Sequence, residues 1–378
     1  MKNGKWTVFV FLFVFAVLAG ILTFRVRSGV RRAETNPLPT ETAEQRESDP
    51  GSAEAEPTEE PSPLPAAPAE PALPPLPEAL REIAICESSL DEELFREAEH
   101  KGTVSLVQYM TRDYVSDEDI PTTKDMAVYL PWGYDETQQY DVLILLHCAW
   151  ADHRFWLVQN REYRLADDSI LPVSVPNMLD RMIEEGYCRP LIVVSPCVYL
   201  YDHQPSVAGN GYDYTQFQTE IGADLLPYLA EHYATWAEDG SREALRDARE
   251  HFGVLGASFG AYASYISVIG DNFDLIAWYT FCGGGEIDPG YLLNCWARTG
   301  TDGLPLRCLY ISEGEYDDRA GPEISYHNLL RTGGPFREDN VRFTLIYGWG
   351  HEDHSYLVGL FNTLQVFFRD TPEGAEGA

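Results

Sequence analysis

The sequence predicts an α/β fold in which a mostly parallel β-sheet is covered by helices on both faces. From about residue 81, short apolar runs alternate with segments of helical periodicity, the order expected of βαβ units. Runs such as "VLILL" and "LIVV" are apolar at every position, as in strands buried on both faces. Hydrophobic residues make up 44% of the chain, enough for a large core. We expect this domain to span residues 81–372, followed by a short tail at 373–378.

The first segment, residues 1–32, is expected to anchor the chain in a membrane. Residues 6–24 contain no charge, and a helix of that length, at about 1.5 Å per residue, just crosses a hydrocarbon core of roughly 30 Å. No A-x-A cleavage site follows, which favours an uncleaved signal anchor. Because both flanks are basic, the positive-inside rule does not orient this helix. We expect a single-pass membrane protein with its folded domain outside the cell, or a secreted protein if the segment is cleaved.

The second segment, residues 33–80, is expected to be a disordered spacer. It contains twelve prolines, and eleven acidic residues stand against Arg46 alone. Low hydrophobicity and like-charge repulsion prevent such a segment from forming a packed core. The spacer therefore separates the anchor from the domain.

The strands and helices of the domain follow in a regular order. Period-2 or fully apolar runs indicate strands, and apolar positions three and four apart indicate helices. The expected strands lie at 103–110, 125–131, 140–147, 189–196, 251–258, 275–282, 306–314 and 342–350. The expected helices lie at 177–187, 219–234, 260–270 and 354–368.

Charge and cysteine spacing exclude several classes of function. The net charge is −33, which repels phosphate backbones and anionic lipid surfaces, so nucleic acid is not expected as a partner. The seven cysteines show no CxxC or Cys/His spacing, so a zinc site is not expected. We expect no other metal and no cofactor. Most of them sit in apolar runs and are interpreted as buried small hydrophobes, although one disulfide stays open.

The stretch "FGVLGASFGAYAS" places Ser258 between two glycines, after a predicted strand and before a predicted helix. Gly-x-Ser-x-Gly in this context is typical of a nucleophile held on a sharp strand-to-helix turn. The motif alone is weak in a chain with 30 glycines, and a serine at this position can also serve only as a helix N-cap.

Two further groups follow later strands in the order that such a nucleophile needs. Asp317 follows "CLYISEGEY" and His351 follows "FTLIYGWG". An imidazole must take the serine proton, and a carboxylate must orient the imidazole, so the order Ser, Asp, His indicates a serine hydrolase. Competing candidates lie close to both residues: Glu315 and Asp318 for the acid, and His354 for the base.

Several motifs together resemble an esterase family of the α/β-hydrolase fold that includes feruloyl esterases, acetylxylan esterases, esterase D and enterochelin-esterase-like proteins. The resemblance covers roughly residues 100–370. It is carried by "AVYLPWGYD", "VLILLH", "NMLDRMIEEGYCRPLIVVSP", "GVLGASFGAYAS", "ISEGEYDD" and "GHEDHSYLVGLFNTL". The family pattern implies Asp317 as the acid, three residues after Gly314, and counting back from "GLFN" implies His351 rather than His354.

The resemblance also implies an oxyanion hole made of backbone N–H groups. Those of Phe259 and of Ala149 (or Cys148) match the family donors. The chain departs from the family at one position, because Cys148 follows His147 where the family usually has glycine. A Cβ there strains the backbone if the position needs unusual dihedral angles. Cys148 is a further, weaker candidate for the nucleophile.

The resulting expectation is a serine esterase that acts outside the cell on carbohydrate-linked feruloyl or acetyl esters. Four aromatic residues are expected to line its substrate site: Trp150, Trp156, Tyr212 and Trp349. Two alternatives stay open: a siderophore or small acyl-ester hydrolase of the same fold, and a non-catalytic binding module on the cell surface. The expected partners are thus an ester substrate and a membrane.

Overall fold

The computed structural model describes the part of the chain in which the sequence predicts alternating strands and helices. The chain divides into two units, Met1–Ala69 and Glu70–Ala378, and every described residue belongs to the second. The predicted anchor and nearly all of the predicted spacer lie outside the described residues. No helix in the described part of the chain is long and apolar enough to cross a membrane. The described ranges are 80–115, 120–165, 168–200, 211–300, 304–318 and 321–369.

An eight-stranded sheet forms the centre of the unit. The strands of the unit are β1 Thr103–Arg112, β2 Pro121–Leu130, β3 Asp141–Leu146, β4 Arg161–Arg164, β5 Ile170–Val173, β6 Leu191–Pro196, β7 Phe252–Ala257, β8 Trp278–Cys282, β9 Cys308–Gly314 and β10 Val341–Ile346. The strand order in the sheet is β1-β2-β6-β3-β7-β8-β9-β10. Six neighbouring strands are parallel to one another: β6, β3, β7, β8, β9 and β10. Strand β2 pairs antiparallel with both β1 and β6. Two short strands, β4 and β5, form a separate antiparallel pair.

Helices connect the parallel strands, and two of the connections contain a π-helical turn. These turns, Ile221–Leu225 and Ser264–Val268, continue from the α-helices Gly211–Glu220 and Phe259–Ala263 respectively. A one-turn 3₁₀ helix, Glu92–Phe95, precedes β1. The α-helices are α1 Val175–Glu184, α2 Gly211–Glu220, α3 Leu226–His232, α4 Arg242–Asp247, α5 Phe259–Ala263, α6 Ile269–Asn272, α7 Pro289–Arg298, α8 Pro322–Thr332 and α9 Asp353–Val366.

The sheet separates two hydrophobic cores. Along β3, Val142, Ile144 and Leu146 face one core, while Leu143 and Leu145 face the other. All six positions of β3, β6 and β7 are buried, so their sequences lack the alternation of half-exposed strands. Helices α1 and α9 cover one face, and the remaining long helices cover the other.

The predicted α/β architecture is confirmed, and the differences concern short or irregular elements. The sequence pattern did not predict the β4–β5 hairpin or helices α4, α7 and α8. Strand β4 is mostly polar, strand β5 is apolar but contains Pro172, and four residues are too few for a period to register. The predicted helix at 219–234 begins earlier, at Gly211, and contains the first π turn.

The seven cysteines form no disulfide. Five of them are buried, and Cys86 and Cys148 are half-buried. Burial raises the pKa of the Cys188 thiol to about 12 and that of Cys197 to about 11, since the thiolate would lose its hydration. The interpretation of most cysteines as small buried hydrophobes is thereby confirmed.

Candidate active site

Ser258 lies on a strained turn between β7 and α5. Its backbone has φ 55° and ψ −113°, in a region that residues other than glycine rarely adopt. The Ser258 N–H donates to the Cys282 carbonyl on the neighbouring strand β8 at 2.8 Å, which holds the turn in place. The serine occupies the N-cap position of α5, yet its side chain makes no capping hydrogen bond. Its hydroxyl is therefore not used as a helix cap.

The glycines on either side of Ser258 are required by close backbone approaches. A Cβ on Gly256 would lie 2.0 Å from the Gly260 carbonyl oxygen. A Cβ on Gly260 would lie 2.4 Å from the Leu146 carbonyl oxygen, at the end of β3. Both distances are far inside van der Waals contact, so the turn closes only with glycine at these two positions. The motif thus has a structural reason that its sequence spacing alone did not supply.

The structure brings Ser258, His351 and Asp317 together in one hydrogen-bonded line. His351 Nε2 lies 2.8 Å from Ser258 Oγ, and His351 Nδ1 lies 2.6 Å from Asp317 Oδ2. The Asp317 side chain is only 1% exposed, whereas that of His351 is 26% exposed. A buried carboxylate that accepts the Nδ1 proton leaves Nε2 unprotonated toward the serine, as a general base requires.

Asp317 is distinguished from its neighbours by its place in the loop after β9. Its N–H donates to the Gly314 carbonyl at 3.1 Å, which closes a turn at the strand end. Glu315 is exposed and instead accepts a hydrogen bond from the Gly348 N–H at 2.9 Å. Asp318 is exposed as well. Neither rival carboxylate is bonded to His351 in the structure.

His354, the rival base, is a packing residue of the core. Its ring stacks between those of Trp349 and Tyr163, with centroid distances of 3.5 and 4.2 Å. Its Nε2 lies 3.0 Å from the Ser88 carbonyl oxygen. Burial lowers the pKa of His354 to about 4, so its imidazole is neutral at ordinary pH. It serves as a flat neutral ring and lies away from Ser258.

The backbone around Ser258 has the components of an oxyanion hole. Phe259 is the first residue of α5, where an N–H has no partner within the helix. The end of β3 lies against this helix start, as the short distance from Gly260 to the Leu146 carbonyl indicates. Cys148 and Ala149 follow directly in the chain. The predicted donors thus belong to two adjoining segments, one on each side of the turn.

Cys148 does not occupy the left-handed backbone region that its replacement of glycine suggested. Among the described residues, only Trp150, Asp168, Ser258 and Phe368 are non-glycine residues with positive φ. The prediction of backbone strain at Cys148 is therefore wrong. The positive φ occurs two residues later, at Trp150, where φ is 67°. A cysteine Cβ is compatible with the backbone found at position 148.

His147 ties the segment that carries Cys148 and Ala149, which we call the oxyanion segment, to Val198 just after strand β6. Its Nδ1 donates to the Cys148 carbonyl at 2.9 Å, and its Nε2 accepts from the Val198 N–H at 3.0 Å. Complete burial lowers the pKa of His147 to about 4, which keeps the ring neutral and fixes this tautomer. The ring also stacks near Phe259, at a centroid distance of 6.1 Å.

The four aromatic residues predicted to line the substrate site have different environments. Trp156 is a correction, because it has no exposed surface and its indole N–H donates to the Leu146 carbonyl at 3.1 Å. It supports the end of β3 from within the core. Trp150 is 70% exposed, and Trp349 is half-buried against His354. Tyr212 lies on α2, outside the residues whose side chains are described.

Sequence reasoning missed the residues that support His351. The β4–β5 hairpin contributes Arg161, which bonds Asp353 at 2.5 Å, two residues after the histidine. Gly283, with φ +62°, lies so close that a Cβ would be 3.0 Å from His351 Nδ1. No local pattern marks Arg161, since its partner is 192 residues away. Only the tertiary structure reveals this support.

One group of side chains outside the triad has the spacing of a metal site. Ligand atoms of Glu99, His100 and Glu184 lie within 4.8 Å of one another. Arg181 already pairs with Glu184 at 3.3 Å, so a cation there competes with an arginine. None of the three residues belongs to the serine–histidine–aspartate line.

Part of the chain is similar in sequence to a known protein. No family model matches the chain. Endo-1,4-beta-xylanase Y of Acetivibrio thermocellus is 27% identical over 157 residues, which is 42% of this chain and 12% of that protein. The chain therefore corresponds to only a small part of that relative.

Two solved structures cover most of the described unit. A feruloyl esterase module from Clostridium thermocellum, complexed with sinapinate, has a TM-score of 0.58 at 20% identity over 76% of this chain and 95% of its own. A ferulic acid esterase from Anaeromyces mucronatus, in complex with ferulic acid, has a TM-score of 0.57 at 20% identity over 76% and 98%. The resemblance predicted from the motifs is confirmed in the fold, which is that of the α/β-hydrolases.

Proposed function

We propose that the protein is a serine esterase that hydrolyses hydroxycinnamoyl esters of carbohydrates. The observation that carries the proposal is the continuous line Ser258 Oγ–His351 Nε2–Nδ1–Asp317 Oδ2, with distances of 2.8 and 2.6 Å. Ser258 lies on a strained turn, and its hydroxyl is hydrogen-bonded to Nε2 of His351. This arrangement suits attack of the serine oxygen on an acyl carbon.

In the first half of the reaction, Ser258 Oγ attacks the ester carbonyl while His351 Nε2 takes its proton. Asp317 holds the imidazole in the required tautomer and stabilises the imidazolium that forms. The tetrahedral intermediate then collapses, and His351 returns the proton to the departing alcohol oxygen. The product at this stage is an acyl-enzyme on Ser258.

The negative oxygen of the intermediate needs donors that are already oriented. The N–H of Phe259 and a backbone N–H from Cys148 or Ala149 are the candidates, since both segments adjoin the serine. Loss of one such donor typically costs about 100- to 1,000-fold in kcat. In the second half, His351 deprotonates a water that attacks the acyl carbon and releases the acid.

An aromatic acyl group is favoured by the rings beside the nucleophile. Tyr214 stacks on Phe259 with a centroid distance of 5.3 Å and an interplanar angle of 25°. The solved relatives bind sinapinate and ferulic acid, both hydroxycinnamates. The match to a xylanase is consistent with an ester on a plant cell-wall carbohydrate.

Release of ferulate from methyl ferulate by the full-length protein tests the activity. We expect turnover by the wild type and a loss of at least about 1,000-fold in Ser258→Ala, because the nucleophile is removed. A fluorophosphonate probe should label the wild type and leave Ser258→Ala unlabelled. Equal turnover by both proteins would contradict the assignment of Ser258.

The alternatives lead to different results with a panel of esters. A siderophore or small acyl-ester hydrolase of this fold would prefer enterobactin-type or acetyl esters over feruloyl esters. A non-catalytic surface module would release no acid from any ester and would not react with the fluorophosphonate. We favour the feruloyl ester because of the aromatic rings next to Ser258.

We also propose that residues 6–24 anchor the protein in a membrane, with residues 33–80 carrying the domain away from it. The support is the uncharged apolar run and the proline-rich acidic segment that follows. The full chain should remain in the membrane pellet after carbonate extraction, and protease added to intact cells should remove the domain. A chain found only in the soluble fraction would contradict anchoring.

A further inference from the structure

Three exposed aromatic side chains lie on the loops that carry the active-site groups. Trp150 follows β3, Tyr316 follows β9 and Tyr347 follows β10, at the carboxyl ends of parallel strands. Their exposed fractions are 70%, 70% and 52%. Carboxyl ends of parallel strands meet at one edge of a sheet, so all three surround the edge where Ser258 lies.

Tyr316 and Tyr347 belong to two loops that are bonded to each other. The Tyr316 N–H donates to the Trp349 carbonyl at 2.8 Å, and the Glu315 N–H donates to the Ile346 carbonyl at 2.9 Å. The Tyr347 N–H donates to the Glu87 carbonyl at 2.7 Å. Both rings therefore extend from a fixed backbone, which lowers the entropy cost of binding a ligand to them.

The Tyr316 ring and the Asp317 carboxylate have opposite environments. Asp317 is buried against His351, whereas the adjacent Tyr316 is mostly exposed. The apolar faces of an exposed aromatic ring remain hydrated. Such a ring therefore gains no hydrophobic free energy until another group covers it. The exposed ring of Tyr316 is therefore available to a ligand at this edge of the sheet.

Trp150 combines an exposed side chain with a strained backbone. It is a bulky residue with φ 67°, an unfavourable conformation for such a side chain, and it lies two residues after Cys148 in the oxyanion segment. Strain of this kind is retained where the surrounding structure and the function require a particular side-chain direction. Here it accompanies exposure of an indole next to the reaction centre.

We propose that Trp150, Tyr316 and Tyr347 form a saccharide-binding rim that holds the alcohol half of the substrate, a neutral oligosaccharide. This inference rests on the proposed esterase function and assigns its carbohydrate subsite. Sugar rings present apolar C–H faces that pack on aromatic rings, while tyrosine and tryptophan keep a polar group for hydroxyls. The chain's net charge of −33 disfavours a polyanionic polysaccharide, so the oligosaccharide is uncharged.

The test compares two esters of the same acid. Methyl ferulate lacks the saccharide, and a feruloylated arabinoxylo-oligosaccharide carries it. In Tyr316→Ala and Tyr347→Ala, the ratio of kcat/KM for the oligosaccharide ester to that for methyl ferulate should fall ~3- to 10-fold each. Because the ratio cancels any general loss of activity, misfolding does not imitate the effect. An unchanged ratio in the double variant would overturn the rim.

Trp236 provides a matched control. It is 43% exposed and stacks on His251, beside the amino-terminal end of β7 and away from the triad. Trp236→Ala should leave the ratio at the wild-type value. A fall of the same size in this variant would count against a localised rim.

Binding without hydrolysis separates this proposal from the esterase function. Ferulate-free arabinoxylo-oligosaccharide should bind the full-length wild type in calorimetry, and the Tyr316→Ala/Tyr347→Ala variant should bind it at least about fivefold more weakly. If the wild type hydrolyses neither ester yet shows this difference, the proposed function fails while the rim stands. Absence of oligosaccharide binding by the wild type overturns the rim.

Discussion

At the scale of the residue, the chemistry depends on where strained and close-packed positions occur. Ser258 adopts φ 55° because the chain must leave β7 and enter α5 within one residue, and Gly256 and Gly260 make room for that turn. Gly283 lies against the His351 ring, where a Cβ would be 3.0 Å from Nδ1. The contacts at Gly256 and Gly260 leave no space for a methyl group, and the contact at Gly283 is tighter than an ordinary van der Waals contact, so small residues surround the reactive ones.

Replacement of Cys148 by glycine tests whether the cysteine impairs the oxyanion hole. Since position 148 has an ordinary backbone conformation, we expect Cys148→Gly to change kcat on methyl ferulate by less than about threefold and to lower stability by roughly 0.5–1 kcal/mol. Steady-state kinetics and urea denaturation measure the two effects. A gain of 100-fold in kcat would mean that the cysteine does obstruct a donor.

At the scale of the element, the β4–β5 hairpin supports the loop that carries His351, the proposed general base. Arg161 lies over the Phe155 ring at 3.6 Å and bonds Asp353 in the first turn of α9. Tyr163, on the same strand, stacks on His354. Thus one short strand contacts Asp353 and His354, which follow His351 closely in the chain. The contacts support the loop and do not involve the reacting groups themselves.

Arg161→Ala should lower kcat about tenfold with little change in KM, because a displaced His351 loop misaligns Nε2 with Ser258 Oγ. The rate of fluorophosphonate labelling should fall in parallel, and Arg161→Lys should recover part of it. Arg164→Ala, at an exposed position on the same strand, is the control and should keep wild-type kinetics. A variant that loses thermal stability but labels at the normal rate would exclude a positioning role.

At the scale of the whole molecule, two buried polar features make stability depend on pairing and on pH. Lys124 and Glu220 form an ion pair at 2.7 Å with 2% and 0% of their side chains exposed. Gln216 and Tyr109 also donate to the Glu220 carboxylate. These bonds join β1 and β2 to α2, so the pair connects the edge of the sheet to a covering helix.

Breaking this pair should be costly. We expect Glu220→Gln to lower the free energy of unfolding by roughly 3–5 kcal/mol, because it leaves the Lys124 ammonium buried without its anion. The double variant Lys124→Met/Glu220→Gln should lose less than the sum of the single variants, as urea denaturation would measure. Lys101→Met, which breaks the exposed pair with Glu97, is the control and should have a much smaller effect.

The buried histidines His147 and His354 predict a loss of stability in mild acid. Both have a folded pKa of about 4 against an ordinary value of 6.5. Between these values the unfolded chain binds more protons than the folded one, so the free energy of unfolding falls as the pH decreases from 6.5 to 4. Above pH 6.5 this contribution is constant.

His354→Phe isolates one of these two contributions while keeping a flat ring between Trp349 and Tyr163. From pH 7.5 to 5.0, the variant should lose roughly 2 kcal/mol less stability than the wild type, since one titrating group is gone. Urea midpoints at the two pH values give the comparison. Equal losses in both proteins would contradict the lowered pKa of His354.

Local patterns in the chain predict the α/β class, the order of most strands and the three residues that the structure joins in the line Ser258–His351–Asp317. These inferences succeed because buried parallel strands are continuously apolar, and because reactive groups follow their carboxyl ends. Both signals are local in the chain, so they need no knowledge of distant contacts.

Which of the neighbouring residues pack in the core and which face the site depends on the folded chain. Trp156 and His354 are chemically suitable for a binding site, yet one is enclosed in the core and the other is stacked between two rings. Arg161 acquires its partner across 192 residues. Burial, stacking and long-range pairing are properties of packed surfaces, and no local pattern in the chain encodes them.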